Sequence, residues 1–176
     1  MIFFTSDTHF CHDKPFIYEA RGYKNVQEMN EDIIKKWNSI VSTNDTVFHL
    51  GDVMLGKDAV GISCLNRLNG HIHIIAGNHD TASRIKLYSK QPNVEEVSFC
   101  QRWKDDGKEI WLSHYPLCLA NKNEYCRYYN FFGHTHQTSA IAEDNFINSY
   151  NVGVDAHNCC PISIDQIFKE MNIRKD

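Results

Sequence analysis

Five short apolar runs in this chain each stop at a cluster of Asp, Asn or His, and that repetition limits the folds open to it. Ile2-Phe3-Phe4-Thr5 runs into Ser6-Asp7-Thr8-His9, and Thr46 to Leu50 runs into Gly51-Asp52. Ile72 to Ile75 runs into Ala76-Gly77-Asn78-His79-Asp80. Short β-prone runs bounded by turn residues read as buried strands. Between them, Val26, Met29, Ile33, Trp37, Ile40 and Val41 keep helical spacing after Asn25, a good N-cap. Ala59, Ile62, Leu65 and Leu68 mark a second helix, closed by Asn69-Gly70. Strand and helix in alternation give the βαβ rhythm of a sheet with crossovers, where ligands bind beyond the carboxyl ends of strands.

The second half changes style. Val97-Ser98-Phe99 and Glu109-Ile110-Trp111-Leu112 flank Asp105-Asp106-Gly107, a hairpin signal, and the second run leads into Ser113-His114-Tyr115-Pro116. Tyr128 to Phe132 ends in Gly133-His134-Thr135-His136. Phe146 to Val154 alternates loosely and ends at Asp155, and Pro161 opens a final helix through Ile164, Ile167 and Phe168. No repeat, low-complexity tract or Pro/Ser linker intervenes, so residues 1–176 are expected to form one α/β domain, parallel early and hairpin-rich late.

Composition excludes several classes. A chain of 176 residues buries about 70% of its unfolded surface and needs no staples. Eighteen Lys and Arg against 22 Asp and Glu give a net charge of −4, which excludes a broadly basic nucleic-acid coat. The seven cysteines are odd in number and none has C-x-x-C spacing, so they read as reduced thiols that fill small apolar gaps. Met1 to Asp7 shows neither the basic nor the apolar region of a secretory signal, and no run approaches 18 apolar residues. The expectation is a cytoplasmic chain without a membrane span; its oligomeric state is not legible.

Taken singly, each polar cluster is an ordinary loop. His-x-His on one strand would point both rings to one face, which suits a metal but equally a solvent-facing pair. What alters the reading is that all five clusters close strands in one chain. If those strands are neighbours, Asp7, His9, Asp52, Asn78, His114, His134 and His136, with His79 beside them, gather at one sheet edge. Collecting so many polar groups without partners is costly. Metal ions resolve the problem. His49, by contrast, reads as a buried, satisfied side chain, His71 and His73 as a polar strand face, and His157 as a weak supporting candidate.

D-x-H, G-D, G-N-H-D, a later His and G-H-x-H, in this order, resemble the calcineurin-like metallophosphoesterases. The likeness spans nearly the whole chain: T-S-D-T-H-F-C-H, E-M-N with W-N, H-L-G-D, G-N-H-D, L-S-H-Y-P-L, G-H-T-H and N-V-G-V-D. It is similar to the small bacterial and phage branch of that superfamily. Two departures stand out. Cys11 occupies a position where such sequences more often have Gly. Gly51-Asp52 continues as Val53-Met54-Leu55-Gly56-Lys57, not as the Gly-Asp-x-x-Asp-Arg of protein Ser/Thr phosphatases, which counts against phosphoprotein substrates.

The resemblance implies a four-layer αββα sandwich of two mixed β-sheets. It also implies two divalent transition-metal ions, one held by Asp7, His9, Asp52 and His136, the other by Asp52, Asn78, His114 and His134, with Asp52 bridging. Imidazole, carboxylate and amide ligands without thiolate put Mn²⁺ first, with Fe, Ni²⁺ or Zn²⁺ as alternatives. A bridging hydroxide would attack phosphorus, and His79 would protonate the leaving group with Asp80 orienting its ring. Asp80 could also cap the helix that begins near Thr81. His12 and Arg21 could contact the phosphate or the leaving group. The implied activity is hydrolysis of a phosphodiester or phosphomonoester in a small molecule or nucleotide. The alternatives are a nuclease acting with a partner and a catalytically silent interaction module on the same fold, whose signature would be lost ligands.

Overall fold

The computed structural model describes residues 1–105, 107–118, 128–141 and 148–173. Strands β1 (Ile2–Thr5), β2 (Thr46–His49) and β3 (His71–Ile75) lie side by side in parallel. Because strand side chains alternate, each strand feeds two cores. Phe3, Val47, Ile72 and Ile74 pack with helix residues, whereas Phe4, Phe48 and Ile75 face the other way. Parallel neighbours need crossovers. These are α2 (Val26–Ile40), which follows the one-turn α1 (Pro15–Tyr18), and α3 (Asp58–Leu65). The Asn25 side chain caps α2 by accepting from the Glu28 N–H at 2.8 Å, and Met29, Ile33 and Trp37 on one stripe are fully buried. After α4 (Ala82–Tyr88), β4 (Val94–Ser98) adds in parallel to β3. On the far side of β1 lies β9 (Ile162–Ser163), antiparallel.

The second sheet has the order β5 (Cys100–Asp105), β6 (Lys108–Ser113), β7 (Tyr128–Phe132), β8 (Ser149–Asn151). Its β5–β6 pair is antiparallel and the rest is parallel, so both sheets are mixed. They pack face to face on aromatic contacts. The Phe4 ring stacks on Phe48 at 5.3 Å and meets Phe131 edge-on at 5.0 Å, among Ile75, Ile110, Leu112 and Tyr150. Helix α5 (Ile164–Glu170) adds Ile164, Ile167 and Phe168 to that core. This is the expected α/β sandwich.

Two local expectations are corrected. The hairpin partner of β6 is Cys100–Asp105, while Val97 and Ser98 belong to β4 in the other sheet, and the chain changes sheets at Phe99. The pattern hid β5 because Gln101, Trp103 and Asp105 are only half-buried and alternate with exposed Cys100, Arg102 and Lys104, leaving no apolar run. Pro161 leads into β9, and α5 starts three residues later with Ser163 as its cap. Asp106, Cys126, Phe146 and Ile147 lie outside the described residues. Of the other cysteines, all free, Cys64 and Cys159 sit in the core between sheet and helices. Among the described residues no helix is long and apolar enough to cross a membrane.

The two sheets present their loop ends to one another. Backbone bonds zip the segments that follow the strands: Asp7 N–H to Gly51 O at 2.9 Å, His9 N–H to Asp52 O at 3.0 Å, Gly133 N–H to His114 O at 3.0 Å and Val154 N–H to Ser6 O at 3.0 Å. Since the aromatic cluster around Phe4 sets the distance between the sheets, Phe4→Ala should cost about 3–5 kcal/mol in urea unfolding, with two-state cooperativity kept.

Candidate metal centre

The loops that carry the polar clusters are strained. Asp7, His9, Asp52, His134 and His136 all have left-handed backbones, with φ of 59°, 48°, 55°, 67° and 51°. Such conformations cost side-chain-bearing residues about 1–3 kcal/mol each and persist only where the surroundings over-determine them. The neighbouring glycines show what does so. A Cβ on Gly133 would lie 1.8 Å from Ser6 Oγ and 2.4 Å from Asp7 Oδ2. One on Gly77 would lie 2.3 Å from Asp52 Oδ1. Two of the motif glycines are therefore spaces into which the carboxylates pack. Cys11, where similar sequences have Gly, is also left-handed at φ 65°, and its N–H is held by Asn30 Oδ1 at 3.1 Å.

Two buried carboxylates organise the donors. Asp7 Oδ2 accepts from the His134 N–H at 2.9 Å and from Ser6 Oγ. Its other oxygen is buried without a hydrogen-bond partner, 3.9 Å from His9 Nε2 and 3.9 Å from His136 Nε2. Asp52 Oδ1 accepts from the His79 N–H at 2.9 Å, and its Oδ2 stands 3.7 Å from His9 Nε2 and 3.5 Å from His114 Nε2. Each carboxylate thus has one oxygen fixed by backbone and one aimed into a gap lined by imidazole nitrogens. The donor atoms of Asp7, His9 and His136, and those of Asp7, Asp52 and His114, lie within 4.8 Å of one another.

Two of the imidazoles are held through Nδ1, which turns Nε2 towards the gap. His114 Nδ1–H donates to Leu50 O at 2.8 Å, which leaves Nε2 to face Asn78 Oδ1 at 2.9 Å. Two acceptors that close require a proton or a cation between them. His136 Nδ1–H donates to Asp155 Oδ2 at 2.8 Å, and its Nε2 meets His9 Nε2 at 3.2 Å. A ring held through Nδ1 by a carbonyl or carboxylate is the usual support of a metal-bound histidine. Burial pushes His9 down to about 2, so its ring is neutral and can ligate. Burial alone would raise Asp52, but His114, the His79 N–H and His9 outweigh it and draw it to about 2. Asp7 is raised by burial above the usual carboxylate range, as expected of an anion short of positive charge. An unpartnered buried oxygen, facing acceptors and nitrogen and oxygen donors without thiolate fit divalent transition-metal ions.

All seven expected donor residues come together, with one correction to how. β7 ends at Phe132, so His134 and His136 are loop residues and not two rungs of a strand. Their rings part: His134 packs 5.0 Å from His114, and His136 stacks 5.0 Å from His9. His79 stands edge-on to His9 at 5.6 Å, and His12 lies 5.3 Å from His9. Asp80 does not orient the His79 ring. Its buried carboxylate accepts from the Asp52, Gly77 and Val53 N–H groups and from Tyr88 Oη, at 2.7, 2.9, 3.3 and 2.7 Å. Nor does it cap α4, which Thr81 does. Asp80 instead pins the Asp52 loop.

Arg21, considered for substrate, is buried and engaged. It grips Asp155 through Nε at 2.7 Å and Nη2 at 3.0 Å, and donates to the carbonyls of Asp7 and Thr8 at 2.8 and 3.2 Å. Asp155 is the supporting residue that the sequence left without a role, although it closes the N-V-G-V-D stretch. Burial would raise it, but His136 and Arg21 hold it well below the usual carboxylate range. His49 is buried, as expected, and only half satisfied: Nε2 lies 2.9 Å from Thr8 Oγ1, whereas Nδ1 has no hydrogen-bond partner. His71 and His73 face Glu95 and Glu96. His157 donates to Asn151 O at 2.8 Å and stacks on Tyr150, behind the site.

Residues 1–154 match the family model of the calcineurin-like phosphoesterase superfamily domain. The chain belongs to that superfamily. Phosphoester hydrolysis is its reaction class, and the protein is a phosphoric ester hydrolase. It is 34% identical over 174 residues to an uncharacterized protein of Methanocaldococcus jannaschii, covering 96% of this chain and 89% of that one. It is 29% identical over 196 residues to the gene 66 protein of Mycobacterium phage L5, covering 96% and 93%. Its fold matches the crystal structure of a protein of unknown function from Aquifex aeolicus with a TM-score of 0.71, at 23% identity, covering 97% and 98%.

The chain Arg21–Asp155–His136 gives a direct test. Asp155→Ala should weaken Mn²⁺ binding by about 10- to 100-fold, read by calorimetry on chelator-stripped protein, because His136 loses the group that fixes its ring.

Proposed function

We propose that this chain hydrolyses phosphoesters with two divalent transition-metal ions, Mn²⁺ first among Mn²⁺, Fe, Ni²⁺ and Zn²⁺, on a small-molecule or nucleotide substrate. The observation that carries the reading is the position of Asp52 Oδ2, 3.7 Å from His9 Nε2 and 3.5 Å from His114 Nε2, where one oxygen reaches both halves of the donor set. Asp7, His9, Asp52 and His136 would hold one ion, and Asp52, Asn78, His114 and His134 the other. When bound, such a pair supplies Lewis-acid charge to the phosphoryl oxygens and lowers the pKa of the attacking water.

The chain's own groups do the rest. His79 is not needed as a ligand, and its backbone N–H on Asp52 Oδ1 ties its position to the bridging carboxylate. Its ring gives a proton to the leaving oxygen, which turns a poor leaving alkoxide into an alcohol. Asp80 supports this indirectly by fixing the Asp52 and Gly77 backbone. His12 lines the same cleft as His79 and is placed to touch the leaving group. A net charge of −4 disfavours tight non-specific binding to nucleic acid.

The test is metal-stripped protein with Mn²⁺, Ni²⁺, Zn²⁺ and Mg²⁺ restored singly, assayed on an aryl monoester, an aryl diester and cyclic nucleotides. Asp52→Asn should lose affinity for both ions, whereas His9→Ala should lose chiefly one; unchanged binding of two ions by Asp52→Asn would exclude the bridge. His79→Ala should keep its metal content and fall on the order of 10²–10⁴-fold on an alkyl ester, with a much smaller loss on nitrophenyl esters. Equal losses on both substrates would remove His79 from the role of acid.

A further inference from the structure

Two clefts flank the centre and share no wall residue among those described. One, of about 510 Å³, runs from His9, His79 and His136 to His12, Phe16 and Ile17. The other, of about 400 Å³, runs from Asn78 and His114 to Phe99, Tyr115 and Leu117. Each therefore opens on a different half of the donor set. Each also carries rings that folding leaves in water: Phe16 is 69% exposed, Phe99 75% and Tyr115 49%. Phe16 stands edge-on to His12 at 5.7 Å, and Tyr115 lies 4.5 Å from the His134 ring and 5.2 Å from that of His114. Large apolar side chains kept exposed along a concave site mark where a ligand covers them.

Resting on the hydrolase reading above, we propose that the substrate is a phosphodiester with a planar, nucleobase-like group on each ester arm, a dinucleotide in its smallest form. Among the described residues, the walls of the second cleft carry no Lys, Arg, Asp or Glu, and in the first the Arg21 and Asp155 charges pair with each other. Both clefts thus suit neutral planar arms rather than a second phosphate. Ring faces stack on any base, so the recognition is by shape and not by sequence. The two arms have different fates. The leaving arm lies in the cleft that contains His79, because its oxygen must meet that proton. The retained arm lies between Phe99 and Tyr115. Water oxygen forms the new bond to phosphorus, and the ester bond to the leaving arm breaks. The departing oxygen takes the His79 proton, which is replaced from the attacking water. The products are a monoester on the retained arm and a free hydroxyl on the other.

The experiment compares kcat/KM of metal-loaded wild type, Phe99→Ala, Tyr115→Ala and Phe16→Ala on a dinucleotide and on nitrophenyl phosphate, which has no retained arm. Phe99→Ala and Tyr115→Ala should lower the diester-to-monoester ratio by roughly tenfold each. Phe16→Ala should lower the rate for a nucleoside leaving arm relative to a methyl leaving arm on the same retained nucleotide. A separate readout is calorimetric binding of a dinucleotide whose leaving ester oxygen is replaced by CH₂; the three variants should bind it about tenfold more weakly. Ratios and affinities that stay at the wild-type values would overturn the two-arm proposal while ester hydrolysis by wild type leaves the hydrolase reading standing. A wild type that hydrolyses neither substrate with any of the four metals overturns both.

Discussion

The structure turns on two carboxylates taken out of water at one sheet edge. Asp7 and Asp52 are 1% and 2% exposed, and each is fixed through one oxygen by a backbone N–H from a distant segment, His134 for Asp7 and His79 for Asp52. Buried anions are tolerated only when paired. The pairing here is incomplete: one Asp7 oxygen has no hydrogen-bond partner, and the Nε2 atoms of His9 and His136 stand 3.9 Å from it. A bound divalent ion would meet that demand for positive charge.

The surrounding fold holds that arrangement against its own strain. Five of the donor residues have left-handed backbones, which alone would favour other loop conformations. Opposing this are the zipped backbone bonds between loops, the Arg21–Asp155 pair that clamps the Asp7 and Thr8 carbonyls, and Asp80 with its four donors. The glycines of the motifs let the carboxylates approach the neighbouring backbone, and a single methyl there would collide. Residues outside the donor cluster thus fix the geometry of those within it.

Much of this was legible from the chain. Helix α2 announced itself through Asn25 and the Met29, Ile33, Trp37 stripe, since burial of one helical face leaves a periodic record. The gathering of Asp7, His9, Asp52, Asn78, His114, His134 and His136 was legible because their five clusters follow the ends of apolar runs. Other features left no such record. β5 is an edge strand with half-exposed alternation, and its sequence does not differ from that of a polar loop. Arg21 and Asp80 were placed near the chemistry by their neighbours in the motifs, but a long cation or a carboxylate does not state in sequence whether it turns to solvent or to backbone.

What the sequence by itself determined is local: strand runs, capped helices, and the residue types that can ligate a metal, because these depend on neighbours a few positions away. The tertiary structure alone decided which atoms meet. It ended β7 at Phe132, ahead of His134 and His136, gave Asp155 to His136 across 19 positions, and turned Asp80 from the His79 ring to the Asp52 backbone. Such pairings rest on how two sheets pack around Phe4, Phe48 and Phe131, and on loops folded into left-handed turns by contacts from the opposite sheet. Contact between residues that far apart in the chain has no periodicity to read, so only the packed structure can show it.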